Sequence, residues 1–170
     1  DITEHILLNL EWRVNGGTVR SLPDILSHLA ATRSCPFQHH HLMHSGFANA
    51  MDLHTNGGKR LNPTAKDKLK RFLCGERIGA VELRKCGVKG VKNPLSKRNA
   101  ESVLNTVLSA LFFFGFNGTL LLFDEMDQTF SKISQSSKAQ VAANLMRRFI
   151  DACSNGVIKG AVAVFAVLPD

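Results

Sequence analysis

Two adjacent acids, Asp124 and Glu125, directly follow an uninterrupted apolar run and are the residues best suited to chemistry in this chain. The run Leu120-Leu121-Leu122-Phe123 is typical of a strand that is buried on both faces of a parallel sheet. Ligands bind at the carboxyl edge of such sheets, which is the edge that the two acids would occupy. The spacing therefore predicts a pair of carboxylates at a ligand-binding edge.

Several hydrophobic residues followed by Asp-Glu form the Walker B pattern of ATP-hydrolysing proteins. The first acid, Asp124, is predicted to hold Mg²⁺ through water, while the metal neutralises charge on the β and γ phosphates of ATP. The second acid, Glu125, is predicted to polarise the attacking water as general base. A structural interpretation stays open, because acids are also favoured in the first turn of a helix that follows a buried strand.

The phosphate-binding loop that accompanies this pattern, GxxxxGK[ST], does not occur in residues 1–170. The nearest imitation, Gly57-Gly58-Lys59-Arg60, has no hydroxyl residue after the lysine and follows no predicted strand. We interpret it as a turn. Since the chain begins with Asp1, we expect its natural start to lie upstream, and we expect this segment alone neither to bind ATP tightly nor to hydrolyse it.

Zinc and disulfide chemistry are less well supported. The run His39-His40-His41, with His44 and Cys35 nearby, resembles a ligand cluster. Three consecutive side chains do not easily converge on one ion, however, and no second cluster closes a tetrahedral site. We interpret the run as a partly exposed polar segment. The cysteines lack CxxC spacing and are interpreted as reduced thiols of a cytosolic protein: Cys35, Cys74, Cys86 and Cys153.

Composition is that of a globular protein. The chain has 170 residues, 44% of them hydrophobic and 21% charged, which argues against disorder and fits one domain or part of a larger one. Residues 102–123 carry no charge and are long enough to span a membrane. The turn-forming run Gly115-Phe116-Asn117-Gly118 interrupts them, so a helix, a turn and a buried strand explain this stretch better.

The positive charge is concentrated in one segment. Residues 59–98 contain 13 Lys and Arg against three acids, giving +10, whereas the remaining 8 basic and 11 acidic residues give −3. This charge supports an alternative function, a non-catalytic basic helical module that binds DNA or a protein partner. The candidate phosphate contacts are Lys66, Lys70 and Arg71, on a helix with a thin apolar face. The segment lacks interleaved aromatic residues, since its single aromatic residue, Phe72, is predicted to be core.

Periodicity places these residues on a helix-rich framework that ends in a strand, a helix and a second strand. Helices are predicted over the first dozen residues, from a Ser21 cap, within 35–51, from a Thr64 cap to Gly75, after Gly79, over 96–114, and before Asn155-Gly156. Strands are predicted over 119–123 and 161–168. Strand, helix and strand in this order form one βαβ unit of a parallel sheet.

Several stretches together resemble a known family. They are Arg71-Phe72-Leu73-Cys74-Gly75-Glu76, Leu83-Arg84-Lys85-Cys86-Gly87-Val88-Lys89-Gly90, the helix after Ala100, Gly115 to Glu125, and the closing residues 144–151 and 165–170. This order is similar to that of the ATP-binding proteins of BREX phage-defence systems, the BrxC/BrxD-like group of large P-loop ATPases. The resemblance covers residues 64–170 well and the first 60 residues weakly.

The resemblance implies an α/β fold, part of a doubly wound P-loop NTPase core of AAA type with a largely helical insertion. Residues 1–95 would be the insertion, with the basic segment at 59–98, and residues 96–170 the core piece with the Walker B strand. It also implies ATP and Mg²⁺ as cofactors, hydrolysis by the complete protein, and a phosphate-binding loop upstream of Asp1.

The resemblance further implies partners: DNA, other defence-system proteins and further copies of the chain, in the cytoplasm and without a membrane. Arg147 and Arg148 are candidates for phosphate sensing or a subunit contact. The simpler interpretation of both is a solvated helix face, where cations are favoured towards the C-terminal end.

Overall fold

The structure is a computed structural model that describes residues 12–14, 17–19, 21–32, 44–56, 61–96, 98–113, 118–123 and 137–165. The chain divides into two compact units, Asp1–Ala110 and Leu111–Asp170. The helices are α1 (Leu22–Thr32), α2 (Ser45–Asn56), α3 (Pro63–Leu73), α4 (Ala80–Lys85), α5 (Ala100–Phe113) and α6 (Ser137–Ser154). The strands are β1 (Trp12–Val14), β2 (Gly17–Val19), β3 (Thr119–Phe123) and β4 (Ala161–Phe165).

The first unit opens with a short antiparallel pair that the sequence analysis did not predict. Strand β1 pairs with β2, with Trp12 opposite Val19 and Val14 opposite Gly17. The intervening sequence is Asn15-Gly16, a dipeptide typical of two-residue hairpin connections. The helix predicted over the first dozen residues lies outside the described residues, except for Trp12, which is in β1.

Helix α1 begins as its sequence predicts. The backbone N–H of Asp24 donates to Ser21 Oγ over 3.3 Å, and the Ser21 hydroxyl donates in return to the Asp24 carboxylate. The first bond is a serine N-cap, and the second joins the two side chains, whereas in a full capping box the acid would accept from the Ser21 backbone N–H. The apolar residues that follow at helical spacing are completely buried: Leu22, Ile25 and Leu26. The predicted cap at Ser21 is therefore confirmed.

Helix α3 begins two residues earlier than predicted. The Asn62 side chain accepts a hydrogen bond of 2.7 Å from the backbone N–H of Ala65, and Pro63 occupies the first turn. Asn caps helices well and Pro is favoured at the first helical position, so Asn62 is the cap in place of Thr64. The predicted apolar face is confirmed, since Leu69, Phe72 and Leu73 are all fully buried.

The core of the first unit is built where α1, α2 and α3 contact one another. Phe47 of α2 and Phe72 of α3 are fully buried, and their ring centroids are 5.4 Å apart at a tilt of 50°. This tilted geometry is one that aromatic pairs prefer. Phe72 therefore belongs to the core, as predicted, and leaves the basic segment without an exposed aromatic residue among its described positions.

The second unit contains the predicted βαβ arrangement. Strand β3 pairs in parallel with β4, from Thr119 opposite Ala161 to Phe123 opposite Phe165, and α6 lies between them in sequence and contacts β4. The result is a helix-rich chain with a two-stranded parallel sheet, which is compatible with the predicted α/β class. None of the described helices is long and apolar enough to cross a membrane.

One face of this small sheet differs from the prediction that its strands are buried on both sides. Leu121 is buried, but Leu120 and Leu122 on the opposite face are 61% and 70% exposed. Their partners in register, Val162 and Val164, are also exposed. A continuous apolar run indicates that a strand is suited to burial. Burial itself also requires that other elements of the protein pack on each face of the sheet.

Candidate functional site

The carboxyl edge of the parallel sheet is the first candidate site. The last paired residues are Phe123 of β3 and Phe165 of β4, so the two strands end at the same edge. Asp124 and Glu125 are the next residues in the sequence after Phe123, but both lie outside the described residues. Their assignment as Walker B acids therefore stays a prediction.

The two candidate arginines of α6 are both exposed. Arg147 Nε lies 3.9 Å from Asp151 Oδ2, one helical turn further along, and both side chains are more than half exposed. Such an exposed pair contributes little to stability, because water screens it. Arg148 makes other interactions within the chain. The role of these arginines in phosphate sensing or in a subunit contact stays a prediction.

The basic segment, residues 59–98, is the second candidate site, and all three of its acids are engaged in ion pairs. Lys68 Nζ lies 2.8 Å from Glu82 Oε1. Arg71 binds Glu76 through two guanidinium nitrogens, with Nε 2.7 Å from Oε2, and also lies 3.9 Å from Asp67. The other described cations of the segment form no ion pair with a described acid.

Arg71 has a structural role at the end of α3. The N–H of Glu76 donates to the Arg71 carbonyl over 3.0 Å, and the N–H of Gly75, at φ +92°, donates to the Phe72 carbonyl over 3.0 Å. These two bonds form a Schellman motif, in which the first and last residues usually make an apolar contact. Here they make an ion pair instead, and the hydrogen bonds from Arg71 lower the pKa of the Glu76 carboxyl.

The remaining described cations of the basic segment are exposed and make no ion pair with any described residue. Two of them, Lys66 and Lys70, are predicted phosphate contacts and lie one turn apart on α3. The third predicted contact, Arg71, is the one held by Glu76. The full set is Lys66, Lys70, Arg77, Arg84, Lys85, Lys89, Lys92 and Arg98.

A second Schellman motif ends α4 and directs the chain into the loop that carries two of these cations, Lys89 and Lys92. The N–H of Val88 donates to the Leu83 carbonyl over 3.0 Å, and the N–H of Gly87 donates to the Arg84 carbonyl over 3.0 Å. Gly87 has φ +89°, a conformation that other residues adopt only with strain. Leu83 and Val88 are both buried, as the apolar contact of this motif requires.

The loop that follows, residues 88–95, alternates buried apolar residues with exposed lysines. Val88, Val91 and Leu95 are 1%, 4% and 2% exposed. Lys89 and Lys92, which stand between them, are exposed. The buried residues hold the loop on the core of the first unit, so the lysines face solvent.

Helix α2 fixes this loop by polar and steric contacts. Asn49 Oδ1 accepts from the Lys89 N–H over 2.6 Å, and Ser45 Oγ donates to the Gly90 carbonyl over 3.2 Å. Gly46 packs so closely on Val91 that an added Cβ would lie 2.5 Å from Val91 Cγ2. The loop backbone is therefore held at three successive residues.

Sequence reasoning missed Arg84, Lys85, Lys89 and Lys92 as a group. A signal was available in the tandem tripeptides Gly87-Val88-Lys89 and Gly90-Val91-Lys92. In each tripeptide the valine can be buried while the lysine that follows it stays exposed. Two such repeats in succession indicate a loop that is anchored on the core and directs its cations to solvent. The charge count alone could not separate these lysines from the rest of the segment.

Two histidines have structural roles in the first unit. His44 caps α2, because its Nδ1 accepts from the Phe47 N–H over 3.1 Å, and its own N–H donates to Thr106 Oγ1 over 2.8 Å. Burial lowers the pKa of His44. The run His39-His40-His41 lies outside the described residues, and within those residues no group of His, Cys, Asp and Glu could hold a metal ion.

His54 is buried between α1 and α2. Its Nε2 lies 3.0 Å from the Pro23 carbonyl oxygen, which can only accept, so Nε2 carries the proton. Nε2 is also 3.0 Å from Ser27 Oγ, whose hydroxyl donates to the same carbonyl. Nδ1 is buried and has no hydrogen-bond partner among the described residues. Burial is the main reason that the pKa of His54 is lowered.

Comparison with known proteins gives one match. A family model described as BREX system ATP-binding protein BrxC/D matches residues 37–170, which is more than half of the chain. No curated protein and no solved structure matches the chain.

Proposed function

Because this chain belongs to the BrxC/D family of BREX system ATP-binding proteins, we propose that it is part of an ATPase that uses Asp124 and Glu125 as Walker B acids. One observation carries the proposal: β3 and β4 form a parallel pair and end together at the edge from which the chain continues into the two acids. In α/β sheets this carboxyl edge is where ligands bind. A doubly wound P-loop core is proposed on the same ground.

Each acid has its own role in this proposal. Carboxylate oxygens suit Mg²⁺, so Asp124 would hold the metal through water, and the metal would neutralise charge on the β and γ phosphates. Glu125 would accept a proton from the attacking water and orient it towards the γ phosphorus. Both roles need the two carboxylates to be held at the carboxyl edge of the sheet. A strand that is paired up to its last residue would hold them there.

Amide substitutions in the complete protein test these roles. Glu125→Gln should retain ATP binding and slow hydrolysis by roughly 10²–10⁴-fold, the usual contribution of a general base. Asp124→Asn should weaken ATP binding and its dependence on Mg²⁺ together. Asp52→Asn, a matched acid-to-amide change on α2 that can still accept the hydrogen bond from Asn56, should leave turnover unchanged. Hydrolysis at the normal rate by the Glu125 variant would show that the Walker B assignment is wrong.

A second function is favoured by a separate observation, and it can coexist with the first. In the basic segment, the three acids are engaged by Lys68 and Arg71, whereas eight other described cations are exposed. Clustered cations attract nucleic acid through release of condensed counterions, whatever its base sequence. We therefore also propose that this segment contacts the phosphates of nucleic acid, with Lys66 and Lys70 of α3 as predicted contacts. A fall in DNA affinity with rising salt is the expected observation.

A further inference from the structure

We propose that the last turn of α4 and the loop after it form a pre-organised platform that binds the phosphate backbone of duplex nucleic acid. The cationic platform consists of Arg84, Lys85, Lys89 and Lys92. This inference rests on the nucleic-acid contact proposed above, and it specifies where on the chain that contact lies and which form of nucleic acid it takes.

Charge is the first argument for the platform. Its four members lie within nine residues of chain, and residues 83–98 contain no acid that could neutralise them. Glu82, which precedes them, is paired with Lys68 and also interacts electrostatically with Lys85. Eight residues of chain can span no more than about 29 Å, and each strand of duplex DNA presents one phosphate for about every 3.4 Å of axis. Four cations within this length of chain are close enough in sequence to meet several phosphates of a single backbone.

The rigidity of the backbone is the second argument. The Schellman motif at Gly87 fixes the end of α4, and the contacts of α2 with Lys89, Gly90 and Val91 fix the loop. A loop that is already ordered loses little backbone entropy when it binds, and this pre-organisation favours affinity. The lysine side chains remain free to change rotamer, which suits contact with the phosphates of nucleic acid whatever its base sequence.

The absence of a stacking surface is the third argument, and it selects duplex over single strands. Proteins that bind single strands combine a positive groove with aromatic side chains on which bases stack. The basic segment has one aromatic residue, Phe72, which is fully buried. Contacts to phosphate alone do not read base edges, so binding should be independent of sequence.

Removal of two charges from the platform, compared with removal of two charges elsewhere in the same segment, tests the proposal. The platform variant is Lys89→Gln combined with Lys92→Gln. The matched control is Arg77→Gln combined with Arg98→Gln, two exposed cations of the same segment that belong neither to the platform nor to the contacts predicted on α3. Binding of the whole chain to duplex DNA is measured by fluorescence anisotropy at several salt concentrations, and circular dichroism verifies that both variants are folded.

The four phosphate contacts of the platform contribute about −3.6 to the slope of log affinity against log salt, which is a loss of about 10² in affinity from 50 to 200 mM salt. The platform variant removes two of the four contacts and should lose about half of this contribution, and the control should keep it. A single strand of the same length should bind the unaltered chain more weakly than the duplex.

Other results would overturn the inference. If the unaltered chain does not bind duplex DNA at low salt, both the platform and the broader nucleic-acid function are wrong. If the control loses the slope and the platform variant keeps it, the function stands but its location on the platform is wrong. Equal binding of single strands would contradict the choice of duplex. Binding of an acidic polypeptide such as polyglutamate without binding of DNA would identify a protein partner instead.

Discussion

Acidification should destabilise the first unit of this chain through His54, and His44, whose pKa burial also lowers, should add to the effect. The Nε2 of His54 donates to the Pro23 carbonyl, and its buried Nδ1 faces no acceptor within the described residues. A second proton on Nδ1 would therefore place a charge and an unpaired donor in the interior. Burial lowers the pKa of His54 most, Lys70 and Lys66 lower it further, and the Pro23 carbonyl and Asp24 oppose the change.

The sign and size of the effect follow from proton linkage. Because the pKa of His54 is lower in the folded than in the unfolded chain, the unfolded chain binds the extra proton first as the pH falls below about 6.5. Stability is therefore complete above that pH and declines as the pH falls towards the folded-state pKa. A difference of one bound proton gives a slope of about 1.4 kcal/mol per pH unit. This loss is measurable against a typical total stability of about 5–15 kcal/mol.

Urea unfolding followed by circular dichroism at pH values near 7.5, 6.5 and 5.5 measures this slope. His54→Gln retains a donor near the position of Nε2 but does not titrate, so it should lower the slope by up to about 1.4 kcal/mol per pH unit. Ser27→Ala removes a neighbour of His54 without removing the titrating group, so stability should drop at every pH and the slope should stay. An unchanged slope in the Gln variant would refute this account of His54.

Two further predictions concern nucleotide chemistry and the loop of the platform. The 170-residue chain by itself should show no magnesium-dependent ATP turnover in a phosphate-release assay, because residues 1–170 contain no GxxxxGK[ST] cradle, and measurable turnover would contradict this. Gly87→Ala should cost about 1–2 kcal/mol in urea unfolding through its φ of +89° alone, since its new Cβ would meet Leu53 at an ordinary 3.7 Å. Gly90→Ala should cost more, because its Cβ would also lie 2.9 Å from Ser45 Oγ, and equal costs would refute the steric argument.

The elements that the sequence predicted correctly are those with local signals. The Ser21 cap and the buried face of α3 follow from residues within one or two turns of each other, and each strand and helix of the βαβ order follows from its own run of residues. The hairpin of β1 and β2 was missed because its strands have three residues each, too few to show a period of two. The exposed face of β3 could not be predicted, since a strand's own residues do not determine what covers it.

For the candidate sites too, the sequence predicted local features but not those that depend on the fold. Residue types and the charge count were enough to identify the basic segment, but not to separate its paired from its unpaired cations. The engagement of Arg71 with Glu76 depends on the turn at Gly75, which brings residues five apart together. Lys89 and Lys92 point to solvent because the neighbouring Val88 and Val91 are buried in the core. Such facts need the backbone path as well as the sequence.

The uncovered face of the parallel sheet has a consequence for work with this chain in solution. Leu120 lies opposite Val162 and Leu122 opposite Val164, so four exposed apolar side chains form one contiguous strip. Within the described residues each strand has a neighbour on one side only. Apolar strips beside unpaired strand edges are templates for association between molecules. We therefore expect this strip to promote association in concentrated samples, and Leu122→Lys, at the most exposed of the four positions, should reduce that association.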